Sequence, residues 1–121
     1  MEAVDVSILI SIYLKEKAEY LEQCLESIFN QTLRVKEIVL VLDGSITKEL
    51  EEVINLFVSE YQGVFKIIPL KTNQGLGVAL AEGVKHCKYD LIARMDSDDI
   101  MVATRIERQY QEFLDHPELS I

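Results

Sequence analysis

The chain has 121 residues, 49% of them hydrophobic, which is enough for one domain with a real core and too short to expect two. Its 12 Lys+Arg against 21 Asp+Glu give a formal net charge of −9, which excludes a broad surface for DNA or RNA but not a site for a single nucleotide. The longest apolar runs stop far short of a membrane span and the N-terminus lacks a signal peptide's basic start and long apolar core, so a soluble, globular, cytoplasmic chain with no transmembrane segment is expected.

Taken in chain order, Val6 to Ser11 (VSILIS) is a continuous apolar run suited to a strand buried on both faces. A helix follows, with Tyr20, Leu21, Cys24, Leu25, Ile28 and Phe29 on its apolar stripe and Glu22, Gln23, Glu26 and Ser27 on the other side. Glu37 to Leu42 is a second buried strand, closed by the turn residues Asp43, Gly44 and Ser45. The helical period returns from Lys48 to Tyr61, with glutamates on its solvated face. A third strand spans Phe65 to Leu70, where Pro69 marks a strand end or a sheet edge. A third helix carries Leu76, Ala79, Leu80, Gly83, Val84 and Cys87. A fourth strand runs from Leu91 to Met95, and a last helix from about Ala103 to Leu114 ends before His116-Pro117. Cys24 and Cys87 form no CxxC pair and lie on candidate helices, so both read as buried free thiols.

Strand and helix alternate without repeat or linker, which is the pattern of an α/β fold: a mostly parallel sheet flanked by helices. In such a sheet all the strands' carboxyl ends share one edge, and ligands bind in the crevice outside it. On that edge the sequence sets Ser11, Ile12 and Tyr13, then Asp43-Gly44-Ser45, then Lys71 to Gly75, then Asp96-Ser97-Asp98-Asp99.

The stretch RMDSDDI, Arg94 to Ile100, crowds three aspartates that would repel one another without a cation. They can cap a helix start, or they can hold a hard divalent metal through oxygen. A calcium loop with Asp96, Asp98 and Glu107 as ligands fails, because Met101 stands where its sharp turn needs glycine. Convergence of the four strand ends favours the metal, which an acidic protein also needs between its carboxylates and a phosphate ester. Gly75 and Gly77 fit a dinucleotide turn poorly, since Leu80 replaces its third small residue; they read as permitting a tight turn before the third helix. His86 and His116 are given no catalytic role.

VSILISIY, SIFNQT, EIVLVLDGS, NQGLGVAL and RMDSDDI followed by TRIERQ, in this order, resemble the nucleotide-binding half of an inverting family 2 glycosyltransferase with the GT-A fold, a Rossmann-like unit. The likeness runs from about Val4 to Ile121. It implies a nucleoside-diphosphate sugar, often a UDP-sugar, as donor, Mn²⁺ or Mg²⁺ as cofactor, and a glycan or lipid-linked saccharide as acceptor. By position, Asp43 matches the aspartate that accepts a hydrogen bond from uracil, with Ser11 and Tyr13 beside the base. Arg94 and Asp96 match positions near the nucleoside, Asp96 towards the ribose, and Asp98 and Asp99 the end of the metal-binding motif. The chain departs from the family's pattern at Ile12, Leu14 and Leu42, where proline, asparagine and a second acidic residue are frequent, and at Ala103, where proline is. The resemblance also implies that residues 1–121 are one N-terminal domain of a longer enzyme, peripheral at the inner face of a membrane. Its acceptor half and general base would lie beyond Ile121, so no catalytic residue is assigned here. Two other classes compete: a sugar-phosphate nucleotidyltransferase, which opens with a glycine-rich basic loop that ISIYLKEKAEY lacks, and a non-catalytic α/β module, which would not bind UDP through a metal.

Overall fold

A computed structural model describes residues 3–116. It contains β1 (Ala3–Ile12), α1 (Ala18–Phe29), β2 (Arg34–Leu42), α2 (Lys48–Glu60), β3 (Phe65–Pro69), α3 (Leu76–His86), β4 (Leu91–Arg94) and α4 (Arg105–Asp115). The four strands pair in parallel in the order β3-β2-β1-β4.

Strand side chains alternate between two apolar layers. Ile8, Ile10 and Ile12 of β1 join Ile38 and Leu40 of β2 in the larger core, against Leu21, Leu25 and Ile28 of α1, Leu50 and Phe57 of α2, and Ile106 of α4. Leu9, Val39 and Val41 point the other way, to Ala79 of α3. Both faces are covered, which is why the central stretches Ile8 to Ile10 of β1 and Ile38 to Leu42 of β2 are continuous apolar runs rather than alternating ones. Travel from β1 to β3 places α1 and α2 on one face; the return from β3 to β4 places α3 on the other, as crossovers of one hand require. Pro69 ends β3 at the sheet edge, where a missing donor costs nothing to the ladder.

Several expectations are corrected in detail. Tyr20 on α1, Leu76 and Val84 on α3 and Leu114 on α4 are exposed, and Ser27, expected on the solvated side, is buried. Cys87 is only half-buried, at the end of α3. The apolar stripe of α3 narrows because the helix meets the sheet through small residues, Ala79 and Gly83. A Cβ at Gly83 would overlap Leu9 Cδ1 and lie 2.8 Å from Val41 Cγ2, so the helix sits as close as glycine permits. Gly83→Leu is therefore expected to destabilise the fold by about 1–3 kcal/mol through overpacking, read from the urea midpoint. Helix α4 begins at Arg105, later than the periodicity predicts, because the backbone just before it bonds to the loop that follows α1: Thr32 N–H donates to Ala103 O at 2.8 Å.

Candidate functional site

From β1 the chain leaves towards β2, and it reaches β4 from the opposite side, so the crevice at their carboxyl ends is the topological switch point of the sheet. A cavity of about 410 Å³ opens there, lined by Ser11, Tyr13, Asp43, Asp96 and Asp98 and closed on the α3 side by Asn73 and Gly75. Arg94 and Asp99 line an adjoining recess of about 210 Å³ that shares Ser11 and Asp96 with the first. Five of the residues singled out in the sequence thus meet in one cavity and the other two stand next to it. Neither histidine lines either space.

Beyond β4 the chain tightens into a turn, in which Asp99 N–H donates to Asp96 O at 3.0 Å and Asp96 N–H reaches Asp99 Oδ2 at 3.4 Å. Carboxylate oxygens of Asp96, Asp98 and Asp99 lie within 4.8 Å of one another, all on exposed residues. Among the described residues no lysine or arginine pairs with them; the ion pairs are Lys36–Asp5 and Lys85–Glu82. Nor do they cap α4, whose N-cap position is Thr104, so the helix-cap reading falls. A set of carboxylate oxygens alone fits a hard divalent cation such as Mn²⁺ or Mg²⁺.

Asp43 is 4% exposed, and its carboxylate is held by the turn before α3: Gln74 N–H donates to Oδ1 at 2.6 Å and Gly75 N–H to Oδ2 at 3.1 Å. Asn73 Nδ2 donates to its backbone oxygen at 3.2 Å. Asp43 therefore clamps the turn after β3 as well as facing the cavity, a role that its position in the sequence did not announce. Gly44 makes the contact possible, with φ +87° and a Cβ position only 2.8 Å from Asn73 N. Gly44→Ala is expected to cost at least the roughly 1–2 kcal/mol of a left-handed Cβ, and to loosen the turn, both visible in thermal unfolding. Gly75, φ +94°, provides the tight turn that was expected, whereas Gly77 lies inside α3 without positive φ.

The acidic turn rests on the last turn of α1 and the bend just after it. Ser27 Oγ accepts from Met101 N–H at 2.8 Å, and Gln31 Nε2 donates to Val102 O at 2.7 Å while its Oε1 accepts from Ile106 N–H at 3.1 Å. Both residues were missed as contributors to the site, although SIFNQT had been singled out as a motif. Cys24 lies beneath, its Sγ–H directed at Asp96 O at 3.6 Å. Burial, reinforced by Asp99, Asp98 and Asp96, pushes its thiol up to about 12. Because the folded value is raised, this thiol favours the fold below about pH 9 and the contribution fades as pH climbs from there towards 12. Alkylation at pH 8 is expected to modify half-buried Cys87 first and Cys24 only on unfolding, as peptide mapping would show.

Comparison with known proteins bears on this arrangement. A sequence profile of glycosyl transferase family 2 matches residues 7–121. Among curated relatives, the amylovoran biosynthesis glycosyltransferase AmsE of Erwinia amylovora is 47% identical over 113 residues, 93% of this chain and 42% of the relative. The UDP-Gal:alpha-D-GlcNAc-diphosphoundecaprenol beta-1,3-galactosyltransferase of Escherichia coli is 39% identical over 101 residues, 84% of this chain and 36% of the relative. The chain thus spans about two fifths of the length of such relatives. In fold it is similar to S. aureus TarS 1-349 in complex with UDP, with TM-score 0.79 at 21% identity over 94% of this chain and 33% of that one. The mannosyltransferase PcManGT from Pyrobaculum calidifontis, in complex with GDP-Man and Mn²⁺, gives TM-score 0.80 at 16% identity over 98% of this chain and 34% of that one. With the GT-A fold on one side and the profile running from Ser7 to the last residue on the other, the chain belongs to glycosyl transferase family 2.

Proposed function

We propose that the chain is the donor-binding part of a metal-dependent, inverting glycosyltransferase that takes a UDP-sugar and serves a glycan or lipid-linked saccharide acceptor. One observation carries the reading: a single cavity at the switch point joins Asp43, at one end, to the acidic turn at the other. Asp43, as a fixed acceptor, calls for a donor on the base, which the N3–H of uracil supplies. Ser11 and Tyr13 flank that base, Arg94 and Asp96 attend the nucleoside, and Asp98 and Asp99, with Asp96 beside them, hold Mn²⁺ or Mg²⁺. Once bound, the cation would screen the diphosphate from the carboxylates and stabilise charge on the leaving UDP.

Transfer forms a bond from an acceptor oxygen to the sugar's anomeric carbon, breaks the bond to UDP, and passes the acceptor's proton to a base. No carboxylate described here is assigned that base; it belongs to the remainder of a longer enzyme, as does the acceptor site. The diphosphoundecaprenol-linked sugar in the name of the Escherichia coli relative supports a lipid-linked acceptor, and the UDP complex of TarS supports the donor. Among the described residues no helix is long and apolar enough to cross a membrane, and the reading sets the whole protein at the cytoplasmic face of one as a peripheral enzyme.

Calorimetric titration of UDP with and without Mn²⁺, with GDP in parallel, tests the reading. Mn²⁺-dependent binding of UDP over GDP is expected, whereas preference for GDP would move the donor to a GDP-sugar and metal-independent binding would remove the cation. The 121 residues alone are expected to bind the donor and not to transfer its sugar, so turnover by the purified chain would contradict the division of labour.

A further inference from the structure

The turn that carries Asp96, Asp98 and Asp99 has little apolar material to hold it. Ile100 and Val102 are 67% and 66% exposed, and Met101 alone between them plugs into the core. Three carboxylates within 4.8 Å push the turn open whenever no cation is bound. What opposes them is a ladder of hydrogen bonds from one helix end, spanning some seventy positions of sequence. Ser27 Oγ donates to Cys24 O at 2.6 Å, which aims its lone pairs at Met101 N–H, 2.8 Å away. Gln31 spends both ends of its amide, donating to Val102 O at 2.7 Å and accepting from Ile106 N–H at 3.1 Å. That second bond satisfies an early N–H of α4, whose N-cap Thr104 offers no side-chain bond.

We propose that Ser27 and Gln31 are positioning residues of the donor site: they hold the acidic turn in its cation-ready shape and so set metal affinity without touching metal or nucleotide. Both are buried, at 7% and 4% exposed, and neither lines the cavity, so they act through the backbone of the turn. Outer partners that orient ligands change metal affinity by about 10–100-fold when lost. The inference rests on the donor-site reading above.

The test uses Gln31→Met, close in shape but without either hydrogen bond, the milder Ser27→Ala, and Ser27→Thr, which keeps the hydroxyl. Gly83→Ala serves as a control that perturbs packing on the opposite face of the sheet. Mn²⁺ affinity in the presence of UDP is measured by electron paramagnetic resonance, and hydrogen exchange is followed at the amides of Asp99 and Met101. Gln31→Met and Ser27→Ala are expected to exchange faster at these amides and to weaken Mn²⁺ about tenfold or more. Ser27→Thr should restore affinity towards that of the unsubstituted protein, and Gly83→Ala should leave it unchanged even where it lowers Tm. Folded Gln31→Met or Ser27→Ala protein that binds Mn²⁺ and UDP as tightly as the unsubstituted chain would overturn the proposal. So would weakening in Gly83→Ala equal to theirs, which would reveal a general effect of stability. Absence of Mn²⁺-dependent UDP binding in the unsubstituted protein would instead sink the donor-site reading, leaving hydrogen exchange to judge whether the pair holds the turn.

Discussion

Asp98→Ala combined with Asp99→Ala is expected to abolish Mn²⁺-dependent UDP binding while leaving the chain folded. Both side chains are exposed and stand outside the core, so their removal deletes no packing and relieves repulsion in the turn. Stability should hold or rise slightly, in contrast to the fate of the site. If Asp98 and Asp99 are the ligands proposed above, their loss exceeds the roughly 10–100-fold typical of outer partners, so binding should weaken by at least about 100-fold. Singly, Asp98→Ala is expected to hurt binding at the main cavity, and Asp99→Ala to loosen the turn as well, since Asp99 Oδ2 accepts from Asp96 N–H. Calorimetry of the three variants beside circular dichroism melts checks both halves. A folded double variant that still binds UDP through Mn²⁺ would show that the cation sits elsewhere.

Asp43→Ala should have the second large effect, and of a different kind, since it is expected to damage fold and binding together. Its carboxylate satisfies Gln74 N–H and Gly75 N–H at the start of α3, and hydrogen bonds to a charged group contribute about 1.5–3 kcal/mol each. A loss of about 3 kcal/mol of stability is expected. If UDP also donates to Asp43, affinity falls by a further factor of about 10–100, the equivalent of one such bond. Asp43→Asn separates the roles. One amide oxygen still accepts from a turn N–H, while the NH₂ end now faces a donor and can no longer accept from uracil. Comparison of the urea midpoint with the UDP affinity, taken at a temperature where both variants are folded, checks the division. Intact stability in Asp43→Ala would contradict the clamp.

What the chain made legible follows from the range of each interaction. β1 and β2 could be read because both faces are buried and the runs Ile8 to Ile10 and Ile38 to Leu42 are wholly apolar, a local signal. The acidic turn was legible because three aspartates in four positions demand an explanation before any fold is known. Leu76 and Val84 misled because the helical period shows which residues could share a face, and the closeness of Gly83 to the sheet decides how wide a stripe is covered. Ser27 and Gln31 escaped because their partners lie about seventy residues away on other segments, and a serine within a helix and a glutamine just past its end look locally like solvated positions. The start of α4 was misjudged for the same reason, since contacts with Gln31 and Thr32, just past α1, and not propensity, hold the preceding backbone out of the helix.

Paramagnetic broadening by Mn²⁺ in a ¹H–¹⁵N correlation spectrum, recorded with and without UDP, tests most directly whether the crevice at the end of β1 and β4 is a metal and nucleotide site. Loss of the amide signals of Asp96 to Ile100 first, with Ser11 and Gly75 shifting once UDP is added, is the predicted result. Broadening centred instead on the glutamates of α2, with the signals around Asp96 and Asp43 unmoved by UDP, would contradict it.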